Sequence, residues 1–461
     1  MRRISGVLAA AAVAVMVLAG LSGLSGCAGP KRFPPVTDLP PPVDDDGGGF
    51  AAAPRLLGVG LAEGRTEVRA AAGGRAEVLG EDGAVLVRLD AGRALVCRRD
   101  GAAVAWEAGG RQGRAPTVRL APSDPGDRVA FDDGEYRGGL LVIPTPNAVG
   151  LTVVNEVGLE AYLRGVVPWE IGRYQRDALA ALEAQAVAAR TYTVSHLGAR
   201  RDRGFDVFAD VMDQVYRGAR DEDALCNEAI ERTAGLVLRD GDAEIEAYYS
   251  ACCGGVTSQV EDVWARGPRP YLVSHADAPP GGEPWCAGYR NFHWRESWSR
   301  GELEAILART LPAYLDYAST EGRAAWAGTV FTPAGPGADP RRPGGLRDLV
   351  ITGRTTSGRV AALEITTDAG TYRVRGDRTR WVLAPASGQP AILRSAMFDL
   401  ELERVDGALR TIAARGRGYG HGIGLCQTGA VAMARAGRTA AQILAHYYPG
   451  AALVRVDGSG R

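Results

Sequence analysis

The sequence has almost no excess of either charge: 53 Lys and Arg stand against 54 Asp and Glu, a formal net of −1. That balance offers no electrostatic footprint for a nucleic acid, and no nucleic-acid partner is expected. Long apolar runs are nearly missing too. Beyond residues 6–20, no stretch reaches the roughly 18 apolar residues that a spanning helix needs. The 62 glycines follow no G-X-Y period, which excludes a collagen-like chain. No internal repeat is visible. Cysteine is scarce at the start, where Cys27 stands alone ahead of Cys97. What is present, 46% hydrophobic and 23% charged residues over 461 positions, suffices for two or three domains with sizeable cores.

The N-terminus carries Arg2 and Arg3, then the apolar run GVLAAAAVAVMVLAG, then Leu24-Ser25-Gly26-Cys27. This order reads as a signal peptide over residues 1–26. Leu-Ser-Gly-Cys resembles the lipobox of bacterial lipoproteins, which implies lipidation of Cys27. Ordinary secretion with an incidental cysteine is the alternative. The expectation is an exported protein held at a bacterial membrane by a lipid anchor only, facing the periplasm or cell wall. Ala28 and Gly29 follow Cys27, so nothing resembles the Asp that retains many lipoproteins at an inner membrane; with two membranes, the outer one is expected. Residues 27–52 are rich in Pro, Asp and Gly and read as a flexible tether.

Residues 53–150 show short apolar runs broken by Gly and Asp-Gly, the pattern of β-hairpins. The period then changes. Leu159, Tyr162, Leu163, Val166 and Val167 recur at helical spacing, and Pro168 is expected to end that helix. Asp177 is expected to cap a helix over 178–196. Residues 234–251 read as a hairpin turning at Asp240-Gly241, and 301–310 as a short helix. Residues 331–345 read as a Pro/Gly-rich loop and 346–412 as strands again. A helix pair over 429–436 and 439–448 breaks at Gly437. The fold class is α+β: a β-rich N-terminal part, a central helical segment over 151–300, and a β-rich C-terminal part over 301–455 ending in the helix pair.

Four segments carry a resemblance. They are VVNEVGLEAYLRGVVPWEI (153–171), ALEAQAVAARTY (181–192), AYYSACCGGVTSQVEDVW (247–264) and GRGYGHGIGLCQTGAVAMARAG (416–437). Together, in this order, they resemble the SpoIID/LytB family, from about residue 55 to 455. The resemblance implies a SpoIID-like mixed fold and a lytic transglycosylase. Such an enzyme cleaves the β-1,4 bond between N-acetylmuramic acid and N-acetylglucosamine in peptidoglycan glycan strands, in some members after stem-peptide removal. The products are 1,6-anhydro sugars. Another branch enhances a cell-wall amidase, so a non-catalytic wall-binding module that recruits or stimulates an amidase is the alternative.

The family's catalytic glutamate falls on Glu170 in Val167-Pro168-Trp169-Glu170. One carboxyl can act first as acid and then as base when the nucleophile is the sugar's own C6 hydroxyl. Apolar neighbours are expected to raise its pKa. A helix-terminal or solvated glutamate without catalytic role is the plainer reading. Gln185, Arg190 and Tyr192 on the next helix are expected to bind substrate, Arg190 through a muramic carboxylate and Tyr192 by stacking on a sugar. A buried ion pair and a core aromatic are the alternative. Ser250 matches the family's serine before Gly254-Gly255, where the backbone is expected to approach a ligand. His421 and Gln427 lie in Gly-His-Gly-x-Gly-x-x-Gln and are assigned to the substrate cleft. A structural hydrogen bond is the alternative for His421.

The Cys/His cluster that binds zinc in some sporulation members has no counterpart in DVFADVMDQVYRG, residues 206–218. Instead Cys252, Cys253, Cys286, His293 and Cys426 are candidates to converge, as a structural zinc site or as a disulfide such as Cys253–Cys286. Their spacing matches no known zinc signature, so a disulfide or buried thiols are favoured and no cofactor is required.

Overall fold

The computed structural model describes residues 56–319 and 329–456. The expected signal peptide, the expected tether and Cys27 lie outside these residues. The fold is mixed α+β, with β structure first and helices at the C-terminal end. No helix of the described residues is long and apolar enough to cross a membrane. The chain divides into two compact units, with changes of unit at Tyr248, Ala434, Leu444 and Ala451.

The unit that contains residues 56–247 begins with two antiparallel-rich sheets. One has seven strands, with Leu57–Arg65 and Leu151–Val157 near one edge and Ala76–Leu79 and Val85–Leu89 at the other. The second has six, centred on Glu67–Ala72 and Ala94–Asp100. Alternation along Glu67–Ala72 turns Val68, Ala70 and Ala72 inward and Glu67 and Arg69 outward, as the two-residue period of a strand requires. Val78, Leu95, Cys97, Val118, Leu120 and Leu140 fill one core drawn from both sheets.

Three helices follow: α1 (Leu159–Glu170), α2 (Leu179–Ser195) and α3 (Ala224–Arg232). Two expectations are corrected here. Pro168 does not end α1; the helix runs on to Glu170, and the Ile171 N–H closes it on the Val167 carbonyl. Pro168 sits in the last turn, where its missing donor removes a single bond. Asp177 does not cap α2. It lies within a 3-10 turn, Arg176–Ala178, and its carboxylate pairs with Arg435 at 3.0 Å. Helix α2 is buried on nearly all sides, which its Ala-rich sequence permits without crowding. The expected hairpin is short: Leu236–Asp240 pairs with Ala243–Glu244 on one side and with Ala452–Arg455 on the other.

The other unit holds the strands predicted for 346–412. Leu346–Arg354, Val360–Thr367, Gly370–Arg375 and the short Phe331–Pro333 make one sheet. His293–Ser299, Ala408–Arg417 and Phe398–Val405 make another. The helix expected over 301–310 extends over Arg300–Ser319, and its Leu303, Leu307 and Leu311 share a core with Trp298, Leu363, Tyr372 and Ile412. The terminal helix pair is Gln427–Arg435 and Ala440–Tyr447. Gly437 between them has a φ of 82°, as a helix C-terminal glycine does.

Candidate active site

Glu170 is the last residue of α1 and is partly buried. Its Oε1 accepts the backbone N–H of Val215 at 2.7 Å. Desolvation pushes its pKa up to about 7, against the lowering effect of that one hydrogen bond. The C-terminal end of a helix is also a poor place for an anion. The group is therefore poised between acid and base at neutral pH.

The loop that supplies Val215 is fastened to α1. The Arg217 N–H donates to the Gly165 carbonyl at 3.2 Å. Gly165 has to be glycine, since a Cβ there would stand 2.6 Å from both the Gly218 carbonyl and the Tyr216 ring. Tyr216 stacks obliquely on Tyr162, with ring centroids 4.9 Å apart, and bonds Asn155 through its hydroxyl at 2.8 Å. The Tyr162 hydroxyl is fully buried and has no hydrogen-bond partner among the described residues. Trp169 is flanked by the guanidinium groups of Arg173 and Arg217, 6.0 and 5.8 Å from its ring. Both arginines are exposed. Sequence reasoning missed Gly165, Val215 and Arg217, because only the returning loop brings them to the end of α1. Asp213, earlier in that loop, is occupied structurally: it accepts from Phe208 N–H at 2.8 Å and from Arg200 and Tyr192 at 3.1 Å each.

The expected substrate face of α2 is corrected. Gln185 has no exposed surface. Arg190 is 1% exposed, and its guanidinium grips both oxygens of Glu160 at 2.7 Å and reaches the carbonyls of Leu236 and Ile230. Tyr192 is buried, with its ring stacked 4.0 Å from His196. An all-round buried helix has no face left for a ligand.

In the other unit the glycine-rich loop packs on the segment Tyr248–Gly255. Tyr249 and Ser250 pair in parallel with Leu425 and Cys426. Gly418, Gly420, Gly422 and Gly424 all have positive φ, and a Cβ on them would strike Cys252, Ser250, Arg359 and Tyr248 respectively. His421 is locked: Nε2–H donates to the Tyr249 carbonyl at 2.9 Å and Nδ1 accepts the Ile423 N–H at 3.0 Å. Burial pushes its pKa down to about 4. Both ring nitrogens are thus engaged in structural hydrogen bonds, while the ring itself is half-buried. Ser250 is buried and its Oγ accepts the Gly422 N–H at 3.2 Å; Gln427 is buried at the start of its helix. Gly254 and Gly255 have positive φ, and a Cβ on them would stand 3.2 Å from the Arg417 backbone and 3.0 Å from Pro284, so backbone conformation and close packing already account for both glycines.

All six described cysteines are buried free thiols. Of the two forms expected, the structure has the buried thiols and not a Cys253–Cys286 disulfide, the two sulfurs being 3.7 Å apart. His293 is exposed on its strand, packs beside Phe292 and is not part of the group that the thiols form with Asp277.

A family model described as stage II sporulation protein matches residues 147–239, and one described as a domain of unknown function (DUF8618) matches 335–424. An uncharacterised protein of Brachyspira hyodysenteriae is 30% identical over 329 residues, 71% of this chain and 74% of its own. The stage II sporulation protein D of Bacillus subtilis is 28% identical over 319 residues, 66% of this chain and 76% of its own. The amidase enhancer of Bacillus subtilis is 28% identical over 353 residues, 73% of this chain but 47% of its own. The chain belongs to the SpoIID/LytB family. The stage II sporulation match encloses α1, α2, Glu170 and the Val215 loop. In this SpoIID/LytB protein the raised carboxyl at the end of α1 and the loop that contacts it thus arise from one contiguous family segment.

Proposed function

We propose that the protein is a peptidoglycan lytic transglycosylase with Glu170 as its acid and base. The observation that carries this reading is the Glu170 carboxyl, partly enclosed, with a pKa near 7. Protonated, it donates to the glycosidic oxygen as the bond from the muramic C1 breaks and the 4-hydroxyl of N-acetylglucosamine leaves. Ionised, it takes the proton of the muramic C6 hydroxyl while O6 bonds to C1. No water is consumed and the carboxyl ends protonated. Hydrolytic glycosidases need two carboxyls because an external nucleophile must be managed; an internal hydroxyl lifts that need. Arg173 and Arg217 beside Trp169 form a cationic rim suited to an acidic sugar.

Digestion of purified glycan, with and without stem peptides, tests this reading. Anhydro-muramic products should appear by mass spectrometry and vanish in Glu170→Gln. A second reading is supported by the amidase-enhancer relative, of which the chain spans about half the length. It has the protein bind wall and stimulate an amidase; wall binding with no glycan products, unchanged by Glu170→Gln, would favour it.

The names of the relatives suit action outside the cytoplasm, with export by the N-terminal segment and lipid attachment at Cys27. Labelling with a fatty-acid analogue, lost in Cys27→Ala, tests the anchor.

A further inference from the structure

Three thiols and a carboxylate from separate chain segments meet in the interior of the unit that holds the glycine-rich loop. Ligand atoms of Cys253, Asp277, Cys286 and Cys426 all lie within 4.8 Å of one another, and all four residues are buried. The Cys253 and Cys286 sulfurs, 3.7 Å apart, are far beyond bonding distance. That spacing is close to the ~3.8 Å edge of a tetrahedron with metal–sulfur bonds of about 2.3 Å. A multi-iron cluster needs room for its own sulfides between the ligands. Four atoms this close leave room for one ion.

Backbone donors point at two of the sulfurs. The Cys253 and Gly429 N–H groups donate to Cys426 Sγ at 3.2 and 3.4 Å, and the Gly255 backbone bonds Cys286. Asp277 is oriented from behind. One of its oxygens accepts from His446 Nε2 and the Tyr447 hydroxyl at 3.0 and 2.9 Å, which leaves the other facing Cys253 Sγ at 3.0 Å. Such outer contacts hold a ligand in place. Arg359 supplies the most telling observation. It is 2% exposed, its guanidinium reaches the carbonyls of Cys253 and Val256, and it makes no ion pair among the described residues. Asp377, which might have neutralised it, is bound to Arg380 at 3.0 Å. A buried cation without a counter-charge is strongly disfavoured. Three thiolates, one carboxylate and a divalent ion make an anionic centre that provides one.

We infer that Cys253, Asp277, Cys286 and Cys426 form a tetrahedral structural zinc site. Three soft sulfurs with one oxygen select zinc over magnesium or calcium. Binding forms three Zn–S bonds and one Zn–O bond and releases the thiol protons, with no change of oxidation state. The Cys252 thiol packs against Cys286 and Cys426 but stands outside the group of four whose ligand atoms converge. The ion clamps Cys253, Asp277–Cys286 and the start of the Gln427 helix, and so fixes the loop that carries His421. This inference does not depend on the glycan chemistry.

Elemental analysis of the tag-free chain, purified without chelator, tests it. About one zinc per chain is expected, and cobalt substitution should give the thiolate-to-cobalt bands of a tetrahedral site. Asp277→Asn and Cys286→Ser should weaken binding at least about tenfold, while Cys252→Ala and Cys97→Ala keep the zinc. If Cys286→Ser is insoluble, chelation of the wild-type chain serves instead: melting temperature should fall and return with zinc but not magnesium. A folded wild-type chain without metal, or a Cys253–Cys286 disulfide in unreduced peptide maps, overturns the proposal. Full affinity in Asp277→Asn with loss in Cys252→Ala overturns the ligand assignment.

Discussion

The backbone N–H of Val215 donates to Glu170 Oε1 at 2.7 Å. One such bond steadies the anion, but burial outweighs it, and the carboxyl sits near pH 7 instead of the usual carboxylate range. Activity should therefore decline as pH rises through about 7, where the donating form is lost. Glu170→Gln should lower turnover by about 10³-fold or more, measured as anhydro-product release. Unchanged turnover would remove Glu170 from the chemistry.

The same shift has a stability consequence. A carboxyl whose folded pKa is raised binds its proton more tightly in the native state. Its contribution is fully present below about pH 4.5 and is lost as pH rises through about 7. Glu170→Gln, which stays neutral, should be more stable than the parent above pH 8 by up to about 3 kcal/mol. Thermal melts at pH 5 and pH 8 check this, and a gap between the proteins that does not widen with pH would refute it.

Gly165 holds the Val215 loop against α1. Gly165→Ala places a methyl against the Gly218 carbonyl and the Tyr216 ring. Loss of about 1–3 kcal/mol is expected, together with a downward drift of the Glu170 pKa as the loop lifts and water enters. The pH–rate profile reports that drift; an unmoved profile would mean that the loop does not control the site.

Arg190 is a structural cation. Arg190→Met should cost about 2 kcal/mol, less than a fully buried pair because Glu160 keeps some solvent. Affinity for glycan, measured on folded protein, should not change. A selective loss of affinity would return Arg190 to the substrate.

His421 is neutral in the fold, its pKa pushed down to about 4. Its stabilising contribution is present above about pH 6.5 and is lost as pH falls toward 4. The stability of the wild-type chain relative to His421→Gln should fall across that window, a comparison in which the opposite contribution of Glu170 cancels. A relative stability that does not change with pH would contradict the half-buried, neutral ring.

Period alone determined much of this molecule. The alternation in Glu67–Ala72 and the helical recurrence from Leu159 to Val167 depend on local geometry, and so does the break at Gly437. Motif order pointed to Glu170 and to the family before any contact was known. Other features were settled by packing between distant segments. Gln185 and Tyr192 read as ligand-facing because helical spacing gives a shared face but not which side is covered. Asp277 stood outside every motif, and only the tertiary structure brings its carboxylate to thiols at positions 253, 286 and 426. Local pattern is written in neighbours a few residues apart, whereas burial and convergence depend on residues that only folding brings together.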